Sequence, residues 1–316
     1  MVDARATDPA ALLRAARTGD RAALARLLSL VERGGDGARA VARVAFPRAG
    51  AAHTIGITGA PGAGKSSLTN ALCSVLRARG DEVAVLAIDP SSPFSGGAIL
   101  GDRVRMGEHT LDAGVYIRSM ATRGHLGGLS LATPEAVRVL DAVGYGWVVI
   151  ETVGVGQVEV EVAGAADTTV VVVNPGWGDA VQANKAGLME IADVFVINKS
   201  DRPGAGDTRR DLESMLALGA HRHHTPPIIE TVATTGVGVE DLWEAVRGHR
   251  RHLVDSGELE RRRAARAEDE LREVVAARLL ERAAELCSGG RWEVARDQVA
   301  SGSADPWAAA ESLLDG

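Results

Sequence analysis

The run His53-Thr54-Ile55-Gly56-Ile57-Thr58-Gly59-Ala60-Pro61-Gly62-Ala63-Gly64-Lys65-Ser66-Ser67 decides how the rest of the chain is read. Its apolar part, Thr54–Thr58, lacks polar alternation, as a strand buried on both faces of a parallel sheet does. Gly59 to Ser66 then fits G-x-x-x-x-G-K-[ST], and a helix is predicted from about Lys65. Between a strand and a helix, such glycines let successive backbone N–H groups wrap a polyphosphate, and the helix N-terminus adds partial positive charge. Lys65 is placed to bridge β- and γ-phosphates, and Ser66 to ligate Mg²⁺. Gly59, Ala60, Pro61, Gly62, Ala63, Gly64 and Ser67 complete the expected nucleotide cradle. A glycine-rich turn is often only a turn; Lys-Ser at this offset decides for phosphate.

Outward from this core, Val83–Ile88, Val115–Ile117, Trp147–Ile150, Thr169–Val173, Val194–Ile197 and Ile228–Val232 repeat the same Val/Ile-rich pattern, with helical stretches between them. Right-handed βαβ units follow, so the predicted fold is α/β with a doubly wound, mostly parallel sheet over residues 51–254. Residues 1–50 read as a helical extension. Asp8-Pro9 caps a first helix with Leu12, Leu13 and Ala16, and a second from Asp20 carries Leu24, Leu27, Leu28 and Val31 up to Gly34-Gly35. A third helix ends before Pro47. Residues 255–316 read as a helical arm, in which Leu271, Val274, Val275, Leu279 and Leu286 form one stripe. That stripe suits packing back on the sheet or docking on a second subunit.

Composition narrows the class. Across 316 residues there are 35 Lys+Arg against 42 Asp+Glu, a formal charge of −7, which gives no electrostatic case for nucleic-acid binding. At 46% hydrophobic and 24% charged the chain reads as globular, and no apolar run reaches the length of a membrane span. No secretory signal is read at the N-terminus, so a cytoplasmic protein is expected. Cys73 and Cys287 stand far apart and read as buried thiols of a reducing compartment, not as a disulfide or zinc site.

A phosphate loop needs a carboxylate at another strand tip to serve the metal. Asp89 follows Val85-Leu86-Ala87-Ile88, and Glu151 follows Trp147-Val148-Val149-Ile150. Glu151-Thr152-Val153-Gly154 has the form acid-x-x-G, where the Gly154 N–H can sense a γ-phosphate; Glu in place of the commoner Asp is a departure. Asp102 lies in a long glycine-rich stretch suited to a nucleotide-sensing switch. At the other end, Asn198-Lys199-Ser200-Asp201 follows a strand. The Asp201 carboxylate can accept from guanine N1–H and N2–H₂, whereas adenine would leave it without a donor. Lys199 would cover the base plane, and Val232-Ala233-Thr234 could offer an N–H to guanine O6. GTP and GDP are therefore the expected ligands.

With these motifs in hand, the sequence resembles the MeaB/ArgK/MMAA family of P-loop GTPases, chaperones of adenosylcobalamin-dependent acyl-CoA mutases and above all of methylmalonyl-CoA mutase. The resemblance covers nearly the whole chain. It rests on the Gly59–Ser66 loop, Asp89-Pro90-Ser91-Ser92-Pro93, Gly101-Asp102-Arg103-Val104-Arg105-Met106, Glu151-Thr152-Val153-Gly154-Val155-Gly156-Gln157 and Asn198–Asp201. It implies that Asp89, Asp102 and Glu151 serve magnesium and switch elements. It further implies that Asn174–Gly187 is a switch loop toward the mutase, with Asp179, Gln182 and Lys185 at matching positions; Trp177 departs from the family's usual loop. The arm, by the same likeness, makes a homodimer. No residue stands out as the one orienting the attacking water: Gln157 is nearest the glutamate switch, and Gln182 or Lys185 could enter when the partner docks.

Two other classes compete. A small-molecule kinase or transport-linked ATPase would need ATP, which Asn198–Asp201 disfavours. A metal-insertion GTPase would need ligands, and the only candidate cluster, His221, His223 and His224, reads as a solvated loop.

Overall fold

The structure, a computed structural model, describes residues 8–90, 107–109, 111–122, 132–152, 164–176, 187, 190–218 and 225–315. Its centre is a seven-stranded sheet in the order β3-β2-β4-β1-β5-β6-β7. The strands are β1 (His53–Gly59), β2 (Val83–Pro90), β3 (Val115–Thr122), β4 (Trp147–Thr152), β5 (Thr168–Val173), β6 (Val194–Asn198) and β7 (Ile228–Thr231), and each neighbouring pair is parallel. All seven predicted runs are strands. The predicted ends fall short at Asp89-Pro90, residues 118–122 and Glu151-Thr152, where the ladder continues past the apolar run, and overshoot by one at Val232.

Around the sheet lie α1 (Pro9–Arg17), α2 (Arg21–Arg33), α3 (Gly35–Ala45), α4 (Lys65–Ala78), α5 (Ala132–Val143), α6 (Ala205–Leu218) and α7 (Val239–Asp255). The caps read from sequence form: Asp8 accepts from the N–H groups of Ala10 and Ala11, and Asp20 from those of Ala22 and Ala23. Strand periodicity assigns the two faces. Ala84, Leu86 and Ile88 pack with Val148 and Ile150 under α1–α3 and α5. Val83, Val85, Ile55 and Ile57 face the other way, with Leu68, Leu72 and Trp243 of α4 and α7. Leu27 and Leu28 are fully buried, each stabilising by about 2 kcal/mol. The N-terminal helices thus share a core with β2, β3 and β4.

Two glycines are fixed by close approach. A Cβ on Gly59, at φ +133, would sit 2.0 Å from the Val172 carbonyl oxygen of β5. One on Gly238, at φ +73, would sit 1.9 Å from the Glu230 carbonyl oxygen.

The chain divides into two compact units, residues 1–263 and 264–316. Helix α8 (Glu258–Leu286) runs for 29 residues with no residue buried. Leu271 and Leu279 are each 63% exposed, so the apolar stripe is uncovered in the single chain. Within the second unit, α9 (Gly289–Ala300) and α10 (Pro306–Leu314) close a small core of Ala295, Ala309 and Leu313 with Trp292. Cys73 is buried as expected, and burial pushes its thiol up to about 12. Cys287 is exposed, correcting the reading of a second buried thiol: it follows directly on α8, a helix with no buried residue.

Candidate nucleotide site

The heads of all seven strands point the same way, and the central strand β1 runs straight into the glycine-rich turn. From β1 the chain leads by α4 to β2 on one side, while β5, β6 and β7 continue on the other, the kind of reversal at which open α/β sheets bind ligands. Gly62 and Gly64 adopt φ +75 and +92. Gly64 is the N-cap of α4 and supplies no side-chain cap. The first-turn N–H groups of this 14-residue helix therefore have no capping side chain, as an anion cradle requires.

Lys65 is buried at the start of α4, with Nζ donating to the carbonyl oxygens of Gly59 at 2.6 Å and Ala60 at 3.1 Å. Its charge is thereby held over the turn. Ser66 Oγ, in the first turn of α4, donates to Glu151 Oε1 at the head of β4 at 2.5 Å, and Glu151 is fully buried. The next residue, Thr152, donates to Thr58 Oγ1 at 3.3 Å. A hydroxyl and a carboxylate are hard oxygen donors, and they meet beside the phosphate cradle. Among the described residues no three His, Cys, Asp or Glu side chains cluster as a metal cage. This donor set fits Mg²⁺, which takes one or two protein oxygens and completes its shell with phosphate and water. Bound there by Ser66 and Glu151, Mg²⁺ would neutralise phosphate charge.

The base end is built from β6. Asn198 is buried at the strand tip and touches three elements. Its Nδ2 donates to the Ala63 carbonyl at 2.8 Å, while Oδ1 accepts from Thr231 Oγ1 at 3.2 Å and from the Ala233 N–H at 3.1 Å. Lys199 has φ +60, the only positive φ at a non-glycine among the described residues, and its Nζ donates to the Gly62 carbonyl at 2.6 Å. Base motif and phosphate loop are thus stapled together. The fit is tight: a Cβ on Gly64 would lie 2.4 Å from Asn198 Nδ2. Asp201 is exposed beyond the turn. Of Val232, Ala233 and Thr234, the first donates its N–H to the Val237 carbonyl and the second to Asn198, and Thr234 is exposed.

The structure therefore brings together Lys65, Ser66, Glu151, Asn198 and Lys199. Asp89 closes β2, with its side chain outside the described residues. Asp102, Gly154, Gln157, Gln182 and Lys185, with Asp179, Trp177 and His221, His223 and His224, also lie outside them. Sequence reasoning missed the bracing by Asn198: the Asn-Lys-x-Asp spacing announces a base site but not the carbonyl of Ala63.

A parallel sheet with Lys65 and Ser66 at the head of its central strand, and Asn198–Asp201 two strands along, defines a P-loop GTPase. The family model described as "Methylmalonyl Co-A mutase-associated GTPase MeaB" matches residues 24–287, and the chain belongs to this family. It is 47% identical over 308 residues to a protein of Pyrococcus horikoshii that carries a GTPase name, covering 96% of each. It is 36% identical to GTPase ArgK of Escherichia coli, covering 82% of this chain and 81% of that one. The mouse methylmalonic aciduria type A homolog, a mitochondrial protein, is 34% identical over 78% of this chain and 64% of its own. Among solved structures, one described as LAO/AO transport system kinase superposes over 100% of this chain and 98% of its own, with a TM-score of 0.71 and 27% identity. Among the described residues no helix is long and apolar enough to cross a membrane.

Proposed function

We propose that this GTPase is the chaperone of an adenosylcobalamin-dependent acyl-CoA mutase, methylmalonyl-CoA mutase first among them, gating cofactor loading and protecting the loaded enzyme. The observation that carries this reading is the match to the mutase-associated family, which extends through residue 287 and so takes in α8 beyond the sheet. The mouse relative's name points the same way. In this reading GTP is held with Mg²⁺ by Ser66 and Glu151, with Asp89 and Asp102 as further acids, and the exposed stripe of α8 joins two copies as a homodimer. Hydrolysis rests on positioning and on cations at the phosphates, so Lys65 supplies the permanent charge. Gln157, nearest the glutamate switch, and Gln182 or Lys185, entering when the partner docks, remain the candidates for orienting the attacking water.

The test is GTP hydrolysis with and without saturating mutase. Acceleration is expected, and Lys185→Ala should keep the basal rate within a few-fold while losing most of that acceleration. Equal rates with and without the mutase would overturn the coupling. ATP displacing GDP as well as GTP does would favour a kinase or transport ATPase instead.

A further inference from the structure

Opposite the nucleotide site, at the tails of β1, β5 and β6, lies a buried ring of polar side chains that the GTPase chemistry does not use. Asp167 precedes β5 and is 1% exposed; Asp193 precedes β6 and is 9% exposed. Each already serves the sheet. Asp167 accepts from the Thr54 N–H at 3.1 Å, and Asp193 from the Thr169 N–H at 2.8 Å. Between them run two buried imidazoles and a hydroxyl. His249 Nε2 lies 3.3 Å from Asp193, its Nδ1 2.9 Å from Thr168 Oγ1, and that oxygen 2.8 Å from His53 Nε2. His53 Nδ1 faces Asp167 at 3.7 Å.

The ring is closed by two consecutive arginines on the second turn of α8. Arg262 donates from both Nη atoms to Asp193 Oδ1, each at 3.2 Å. Arg263 meets Asp167 Oδ2 at 2.6 Å and Oδ1 at 3.2 Å. The same guanidinium donates to the carbonyls of Gly50 and Ala52, each at 2.7 Å, on the segment that leads into β1. Neighbouring positions on a helix point about 100° apart, so two arginines side by side can grip two strand tails at once. Planar five-donor forks suit this role; a lysine ammonium could not span a carboxylate and two carbonyls.

One turn earlier lies a natural hinge. Helix α7 ends at Asp255, α8 begins at Glu258, and the connection holds Gly257 at φ +68. Left alone, a two-residue joint with glycine would let the start of α8 come away from the strand tails. We propose that Arg262 and Arg263 form a two-point latch that suppresses this hinge, so that the first turns of α8 stay fixed to the strand tails and come away only when the buried ring opens. Opening strands two carboxylates away from their cations, which makes release all-or-none over the first turns of α8.

The test is amide hydrogen exchange on the full chain carrying Arg262→Gln and Arg263→Gln. Exchange in residues 258–266 should accelerate at least about tenfold, while α4 keeps its protection and GDP affinity stays within twofold. Unchanged exchange in 258–266 would overturn the latch. So would a loss spread evenly over β1, β5 and α4, which would mark the arginines as general supports of the fold. Should the double variant not fold, Asp193→Asn removes one grip while keeping its shape: the same local pattern at smaller amplitude is expected, and unaltered protection of 258–266 refutes the proposal.

Discussion

Replacing Asn198 by alanine tests whether the base motif and the phosphate loop form one mechanical piece. The side chain is 2% exposed and makes three close hydrogen bonds, to the Ala63 carbonyl, the Thr231 hydroxyl and the Ala233 N–H, besides a long one of 3.5 Å to the Gly64 carbonyl. At about 1 kcal/mol for each neutral bond, their loss amounts to about 3 kcal/mol. For a cooperative unit of roughly 260 residues this lowers Tm by about 6 °C. The Ala63 carbonyl is also released from its staple, so the cradle must be reordered on binding, and GDP affinity should fall about tenfold, the equivalent of about 1.4 kcal/mol. Asn198→Asp sharpens the test. It keeps an acceptor for Thr231 and Ala233 but turns a second anionic oxygen on the Ala63 carbonyl, so it should be worse than alanine on both counts. Calorimetric melting of the nucleotide-free protein and titration with a fluorescent GDP analogue supply the readouts. An alanine variant that melts within about 1 °C of wild type and binds GDP within twofold would refute the brace.

Lys65→Ala removes the cation tied to Gly59 and Ala60 and should abolish GTP hydrolysis; normal turnover would disprove its phosphate role. Asp201→Asn should weaken GTP and favour xanthosine triphosphate, since an amide can donate to the xanthine oxygen; an unaltered purine preference in competition binding would remove guanine from this site. Burial holds the His53 imidazole down to about 4 from 6.5, against the pull of Asp167. The unfolded chain then binds this proton more readily than the folded one, so its stabilisation is complete above about pH 6.5 and falls as pH drops toward 4, by on the order of 3 kcal/mol. Melting curves across that range should decline less steeply for His53→Gln than for wild type, and parallel declines would count against the assignment.

What was legible in the sequence follows from where the information is stored. A strand buried on both faces leaves an unbroken apolar run, so β1, β4, β5 and β6 announce themselves; β2 and β4 run past theirs into Asp89-Pro90 and Glu151-Thr152, which the apolar pattern does not mark. Gly59–Ser66 was legible because the chemistry of a phosphate cradle is local. The meeting of Ser66 with Glu151, 85 residues apart, could be inferred because Ser66 opens the helix that follows the head of β1 and Glu151 sits at the head of the neighbouring strand β4. No such rule links Arg262 to Asp193 or Arg263 to Asp167, 69 and 96 residues apart, because each pair is made by the packing of a helix whose own pattern is plain surface charge. The left-handed backbone of Lys199 was equally silent, since lysine carries no preference for it.

The close approach at Gly59 bears on how this gene can drift. Any single-base change that replaces a glycine codon's product introduces a Cβ or ends the chain, and at Gly59 that atom has only the Val172 carbonyl to occupy. Gly238 is blocked in the same manner by Glu230, although it belongs to no part of the phosphate loop. A saturation-mutagenesis library screened for folded protein should return nothing but glycine at both positions. An invariant residue in such a library would thus mark atomic crowding at Gly238, and screening for GTP hydrolysis as well as for folding would separate it from the positions, Lys65 first, that folding tolerates and turnover does not.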